Sequence, residues 1–236
     1  MSAIASNLQA VRRRIETAAQ ACGRAPNDIS LLAVSKTWPL DSVLQAAVAG
    51  QLAFGENYVQ EGCDKAMATA GQGLEWHFIG PLQSNKTRPV AEHFAWVHSI
   101  DRLKIAERLS AQRPEHLAPL QVCVQVNVSG EASKSGCTPA EAPTLCRAIA
   151  ALPRLQLRGL MAIPEPADDE AAQRAPFRAL RELYEQLRTS GLPLDTLSMG
   201  MSHDLEAAVA EGATIVRIGT AIFGERHRVA APEVAS

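Results

Sequence analysis

One lysine stands at a position that surface charge does not explain. Lys36 follows the apolar run of residues 31–34 and is flanked by Ser35 and Thr37. A short, continuous apolar run is typical of a buried strand, whereas most lysines lie on solvated surfaces. We therefore expect Lys36 at the mouth of a site. There, partial burial of an amine favours the neutral form that attacks a carbonyl group.

Two glycine-containing stretches near the end of the chain have the composition of a phosphate site. SMGMSHD, residues 198–204, contains Gly200 and Ser202, and RIGTAIFG, residues 217–224, contains Gly219 and Thr220. Glycine lets the backbone approach a ligand closely, and a serine hydroxyl donates to phosphate or caps the next helix. Each residue alone is better explained as a cap or a turn. The two stretches together predict a phosphate cradle.

An arginine lies within the last apolar segment. Arg217 stands between Val216 and Ile218, and side-chain alternation along a strand points it away from these neighbours. An arginine buried inside a barrel must be paired or must contact a ligand, because burying its charge alone is costly. A phosphate, a heterocyclic nitrogen and an internal salt bridge all remain possible partners at this stage.

A lysine, a phosphate cradle and an arginine together suit a phosphorylated carbonyl compound held as a Schiff base. Pyridoxal phosphate (PLP) has the aldehyde, the phosphate and the ring nitrogen that these groups would contact. A sugar phosphate bound by a Schiff-base aldolase satisfies the same set, although such an enzyme usually needs an acid/base partner near its lysine. Pyridoxal phosphate and a sugar phosphate both remain candidate ligands.

The elements that must position these residues alternate regularly between strand and helix. After a first helix over residues 7–22, apolar runs predict eight strands separated by amphipathic helices. The predicted strands are residues 29–34, 52–55, 76–79, 96–100, 120–128, 157–163, 196–199 and 215–218. This alternation predicts an α/β fold, a single (β/α)8 TIM barrel with an extra N-terminal helix over residues 1–228, followed by a loose tail at 229–236. A doubly wound open sheet is the alternative.

Composition excludes several classes of partner. The formal net charge of −2 and the pI near 6.3 give no basic footprint for nucleic acid. Five scattered cysteines without a CxxC pair argue against disulfides and structural zinc. The spacing of three histidines, His77, His93 and His98, does not match that of metal ligands. We therefore expect no metal site. GPLQSNKT, residues 80–87, lacks the second glycine of a phosphate-binding NTPase loop.

Without an apolar run of membrane-spanning length or a signal peptide, we expect a cytoplasmic protein away from membranes.

Six longer blocks carry a family resemblance that covers about residues 31–224. They are LLAVSKT, FGENYVQE, WHFIGPLQSNK, VNVSGEASKSG, GLMAIP and LSMGMSHDLEAAVAEGATIVRIGTAIFG. With these blocks the chain resembles the YggS/PROSC family of pyridoxal phosphate homeostasis proteins. The resemblance implies a barrel of the alanine racemase N-terminal type, with PLP bound as an internal aldimine.

The resemblance also implies roles for individual residues. Lys36 would form the Schiff base, Asn57 would lie beside the cofactor, and Arg217 would face the pyridine nitrogen. Ser202, Gly219 and Thr220 would hold the phosphate, with Gly200 allowing close approach of the backbone. We assign no catalytic residue.

Features that the chain lacks favour a carrier over an enzyme. The racemases that resemble it use a catalytic tyrosine from a second, β-rich domain, whereas this chain ends after its eighth strand and neither of its tyrosines, Tyr58 and Tyr184, is an obvious second base. An arginine at the ring nitrogen keeps it unprotonated, which weakens the electron sink that carbanion chemistry uses. We therefore expect a monomeric PLP-binding protein of intracellular vitamin B6 homeostasis, with PLP-dependent apo-enzymes as partners. A low-activity amino-acid racemase is the alternative.

Overall fold

The computed structural model describes residues 2–129 and 135–225. Its eight strands are parallel and form a closed barrel in chain order. They are β1 (Ser30–Val34), β2 (Ala53–Glu56), β3 (Glu75–Phe78), β4 (Trp96–Ile100), β5 (Leu120–Gln125), β6 (Leu155–Met161), β7 (Thr196–Ser198) and β8 (Ile215–Ile218). Because β1 pairs with both β2 and β8, in the latter case over four residues from Ser30↔Ile215, the open sheet is excluded and the predicted barrel is confirmed.

Helices surround the barrel, and the predicted N-terminal helix precedes the first strand. This helix, α1 (Ala3–Ala21), is capped by Ser2 Oγ, which accepts from the Ala5 N–H at 3.2 Å. A serine at this position satisfies one of the free N–H groups of the first turn. The others are α2 (Leu40–Val48), α3 (Val59–Ala68), α4 (Thr87–His93), α5 (Leu103–Gln112), α6 (Ala142–Ala150), α7 (Glu170–Thr189), α8 (Leu205–Ala210) and α9 (Thr220–Phe223).

The core has two parts with different chemistry. The larger part lies between the strands and the helices and contains side chains such as Phe54 and Phe78. A smaller apolar cluster, which includes Leu32, Val34 and Met161 of the strands and Ile79 just after β3, fills part of the barrel interior. The structure also buries charged and polar strand residues, and the alternation of side chains along β3, β4, β7 and β8 places several of them inside the barrel. The barrel interior therefore contains polar and charged side chains beside an apolar cluster.

Several details differ from or lie beyond the sequence prediction. The sixth strand spans Leu155–Met161 instead of residues 157–163. The fifth strand ends at Gln125 instead of residue 128, because the chain leaves the sheet there and Asn127 N–H donates to Cys137 O at 2.9 Å. The boundary at residue 228 and the tail at 229–236 lie outside the described residues. In the part of the chain that the structure covers, no helix combines the length and the apolar character needed to cross a bilayer.

Candidate functional site

A cleft of about 180 Å³ opens at the carboxyl ends of the strands. In a barrel of parallel strands this face carries the functional loops. Six of the seven predicted site residues line it: Lys36, Asn57, Ser202, Arg217, Gly219 and Thr220. Its other lining residues are Val34, Ile79, Ile163, Met201 and His203. Side chains predicted from four separate loops and strands thus meet at one place.

Lys36 lies two residues after the end of β1 and is half-buried. The next residue, Thr37, has φ +67°, a left-handed backbone conformation that is unusual for any β-branched residue. Its N–H donates to Glu61 Oε1 of α3 at 2.6 Å. Such strain persists only where surrounding contacts hold it. The backbone beside Lys36 is therefore held by α3.

A buried ion pair supports the same loop from outside the barrel. Lys65 Nζ donates to Ser35 O at 2.8 Å and to Oε1 of Glu56 and Glu61 at 2.7 Å each, and Ser35 Oγ donates to Glu56 Oε1 at 2.6 Å. The Glu56 and Lys65 side chains are 0% and 7% exposed. Burial raises the pKa of Glu56, opposed by the hydrogen bonds from Lys65 and Ser35. Sequence reasoning missed Lys65, for which the Glu61–Lys65 spacing on one helix face is the only signal.

Asn57 lines the cleft and carries an unpaired acceptor. Its Oδ1 is buried and has no hydrogen-bond partner among the described residues. A buried acceptor left unpaired costs about 1–3 kcal/mol. Its backbone packs directly on Gly80, where an added Cβ would overlap Asn57 O, so the glycine is required for this close approach. The unpaired oxygen is one that a ligand donor would satisfy.

Oxygen atoms at the ends of β6 and β7 fix the Arg217 guanidinium. Its Nη1 donates to Ser198 O at 2.6 Å and to Ser198 Oγ at 2.8 Å, and its Nη2 donates to Ala162 O at 2.9 Å. Within residues 2–129 and 135–225 it makes no ion pair with a carboxylate, so the internal salt bridge is not what holds it. Burial lowers the pKa of Arg217 to about 10, which leaves it charged at neutral pH. Because these bonds use three of its five N–H groups, the guanidinium retains donors for a ligand.

The two predicted phosphate loops meet beside Arg217. Ser202 Oγ accepts from the Ala221 N–H of α9 at 3.4 Å, so this hydroxyl lies at the start of the short helix that Gly219 caps and Thr220 begins. The N–H groups of a first helical turn have no acceptor within the helix. The cleft therefore combines a hydroxyl, backbone donors and a guanidinium at one end.

The seventh predicted residue, Gly200, is not among the residues that line the cleft. Its φ is +93°, and an added Cβ would lie 2.5 Å from Ala208 Cβ of α8. The absence of a side chain therefore permits close packing of the loop on α8. The same loop is also held by Asp204, whose Oδ1 accepts from the Met201 N–H at 2.5 Å.

Neither of the two tyrosines lines the cleft. Tyr58 is 55% exposed, at the start of α3. Tyr184 is buried in α7, where its hydroxyl donates to Leu194 O at 3.1 Å. The cleft consequently has a lysine, an arginine and a histidine, with no phenol beside them in the described part of the chain.

Comparison with known families agrees with this architecture. Residues 6–227 match the family model described as alanine racemase, N-terminal domain. An alanine racemase from Corynebacterium glutamicum superimposes with a TM-score of 0.69 at 20% identity, over 95% of this chain and 61% of that chain, which supports the fold alone. The protein is thus a barrel of the alanine racemase N-terminal type.

Relatives of higher identity narrow this class. The pyridoxal phosphate homeostasis protein of Pseudomonas aeruginosa is 63% identical over 226 residues, covering 96% of this chain and 97% of that protein. That of Escherichia coli K12 is 56% identical over 229 residues, covering 96% and 98%. PipY of Synechococcus elongatus, solved with PLP bound, has a TM-score of 0.82 at 38% identity, over 94% of this chain and all of that chain. The chain belongs to the family of pyridoxal phosphate homeostasis proteins.

Proposed function

We propose that this protein binds PLP covalently, through a Schiff base to Lys36, and takes part in intracellular PLP homeostasis. The observation that carries the proposal is the convergence of Lys36, the unpaired Asn57 Oδ1 and Arg217 on one small cleft. The names of the relatives and the PLP bound in PipY support the same ligand.

The chemical groups in the cleft match those of the cofactor. When bound, PLP supplies an aldehyde that condenses with a primary amine with loss of water. Lys36 is the amine that lines the cleft, and Asn57 Oδ1 is an acceptor for a ligand hydroxyl. Ser202 Oγ and the backbone N–H groups at Gly219 and Thr220 are donors for a phosphate.

Arg217 is proposed to donate to the pyridine nitrogen. A guanidinium fixed by three hydrogen bonds and still charged at neutral pH donates a proton to a hydrogen bond without transferring it. A nitrogen that only accepts such a bond stays unprotonated, and this makes the cofactor a weak electron sink. With no tyrosine at the cleft in the described residues, this favours a role in holding PLP over catalysis.

The remaining parts of the proposal concern the cellular setting. We propose that the bound cofactor is delivered to PLP-dependent apo-enzymes in the cytoplasm, and that the protein does so as a monomer. Sedimentation of the PLP-loaded protein over a concentration series tests the monomer. A molecular mass that rises towards twice that of the chain would contradict it.

The test of the ligand is a spectroscopic titration of the ligand-free protein with PLP. We expect a visible absorbance band for the wild-type protein and for a control variant, Lys104→Ala, which removes an exposed lysine of α5. Lys36→Ala should lose the band. An undiminished band in Lys36→Ala would exclude Lys36 as the attachment site.

A second assay separates a carrier from an enzyme. Loaded protein is incubated with single-enantiomer amino acids and chirality is followed over time. We expect no turnover above that of free PLP. Faster racemisation that is lost in Lys36→Ala would establish the racemase alternative.

A further inference from the structure

A continuous chain of hydrogen bonds runs through the barrel interior and ends at Arg217. Arg217 Nη1 lies 2.8 Å from Ser198 Oγ, which lies 2.8 Å from His98 Nδ1. His98 Nε2 lies 2.9 Å from His77 Nδ1, and His77 Nε2 lies 2.8 Å from Glu75 Oε1. Five side chains from β3, β4, β7 and β8 thus form one connected series.

The series joins the two ends of the barrel. Glu75 is the first residue of β3, at the amino-terminal face, and its side chain is 51% exposed. Arg217 lines the cleft at the opposite face. His77, His98 and Ser198 between them are no more than 3% exposed. The His77 ring stacks on Trp96 with centroids 5.3 Å apart and planes 4° apart, which restricts its rotation.

The donors in this series all point the same way. Arginine only donates, and a carboxylate only accepts. Because Ser198 Oγ accepts from Arg217, its own proton is available to His98 Nδ1, so that His98 Nε2–H donates to His77 Nδ1 and His77 Nε2–H donates to Glu75. The opposite order would set a bare His77 Nε2 against the Glu75 carboxylate unless an extra proton were present. Both histidines are therefore neutral, with the proton on Nε2.

We propose that Ser198, His98, His77 and Glu75 form a directional relay that positions the Arg217 guanidinium and couples it to the carboxylate at the far end of the barrel. The relay rests on the proposed function through Arg217, which is the contact to the ligand ring nitrogen. The four relay residues do not line the cleft and act through Arg217 as positioning residues.

Protonation of His77 would reverse the direction of hydrogen-bond donation between Ser198 and the two histidines. A proton added to His77 makes both of its nitrogens donors, so that His98 must accept at Nε2 and donate from Nδ1 to Ser198 Oγ. Burial lowers the pKa of both histidines, and the hydrogen bond from His77 lowers that of Glu75. The direction is therefore constant at and above neutral pH. The other titratable groups that face the series are Arg158, Asp195, Cys123 and Asp204.

The relay is tested first without ligand, by NMR of the full chain labelled with ¹⁵N in histidine and arginine. We expect His77 and His98 as neutral Nε2–H tautomers from pH 7 to 8. Ser198→Ala should accelerate hydrogen exchange at the Arg217 guanidinium about tenfold or more, the effect of losing one charged hydrogen bond. Nδ1–H tautomers, or unchanged Arg217 exchange in Ser198→Ala, would overturn the relay.

A second variant keeps the geometry and removes the charge. In Glu75→Gln the amide oxygen still accepts from His77, so a fold and tautomers like those of the wild-type protein are expected. Coupling predicts a shifted Arg217 ¹⁵N signal in Glu75→Gln and none in Glu115→Gln, which removes a carboxylate whose side chain is 89% exposed. Equal spectra for the two variants would refute the coupling. Since none of these spectra needs PLP, failure of PLP to bind would count against the proposed function alone.

Discussion

Replacing Lys65 by methionine should destabilise the protein far more than a single surface change. The variant keeps most of the apolar length of the side chain but leaves Glu56, which is 0% exposed, without its cation. Removing one partner of a buried ion pair costs about 3–5 kcal/mol, because the remaining charge is uncompensated. Loss of the contact to the more exposed Glu61 adds less than about 1 kcal/mol. We therefore expect Lys65→Met to lose about 3–5 kcal/mol of unfolding free energy at pH 8.

Urea unfolding of ligand-free protein measures this loss. The control Lys104→Met changes an exposed lysine and should stay within about 0.5 kcal/mol of the wild-type protein. In Lys65→Met, Glu56→Gln, the buried charge is absent, so most of the lost stability should return. A loss below about 1 kcal/mol in Lys65→Met, or no recovery in the double variant, would refute the importance of the pair.

The pH dependence of the same variant has a definite sign. A carboxyl group whose pKa is raised on folding contributes stability at low pH, and this contribution is lost as pH rises through the folded-state pKa. Burial already raises the pKa of Glu56, and removing Lys65 raises it further. Lys65→Met should therefore lose less stability at pH 5 than at pH 8 relative to the wild-type protein. An equal loss at both pH values would contradict this reasoning.

Three further predictions concern the cleft, its supporting loop and the thiols. Gly200→Ala should cost about 2–4 kcal/mol in urea unfolding, from a left-handed backbone and overlap with Ala208, whereas Gly23→Ala, with φ +68° and open space around it, should cost only about 1 kcal/mol; equal losses would contradict the packing argument. Asn57→Ala should weaken PLP binding about tenfold or more while leaving the ligand-free protein at least as stable, since it removes an unpaired buried acceptor; unchanged affinity in a titration would refute its role. Among the five cysteines, only the exposed Cys22 should react quickly with a thiol reagent at pH 8, because the other four are buried and burial raises the pKa of each; rapid labelling of more than one thiol in native protein would contradict the burial.

The barrel was predictable because each of its units is encoded locally. A short apolar run such as residues 31–34, followed by an amphipathic stretch that ends at a glycine such as Gly50, predicts one strand and one helix without reference to the rest of the chain. Eight such units, joined by right-handed crossovers, leave few topologies. The end of β5 was not predictable, since it depends on pairing of Asn127 with Cys137 ten residues later.

The cleft was predictable where residues lie at or just after the carboxyl end of a strand. Asn57 and Gly219 follow a strand directly and Lys36 follows β1 after one residue, and the carboxyl ends of parallel strands meet at one face. Lys65 could not be assigned in this way, because it lies in the second turn of α3 and its contact to Ser35 depends on how the helix packs. The pairing of His77 with His98 depends on the register between β3 and β4, which side-chain patterns do not specify.

The most direct test of Lys36 as the attachment site is chemical trapping. PLP-loaded protein is reduced with borohydride, which converts a Schiff base to a stable secondary amine, and the digested protein is mapped by mass spectrometry. We predict a pyridoxyl group on Lys36 in the wild-type protein and in Lys104→Ala. A pyridoxyl group found on another lysine in the wild-type protein, or none at all with PLP bound, would contradict the central claim.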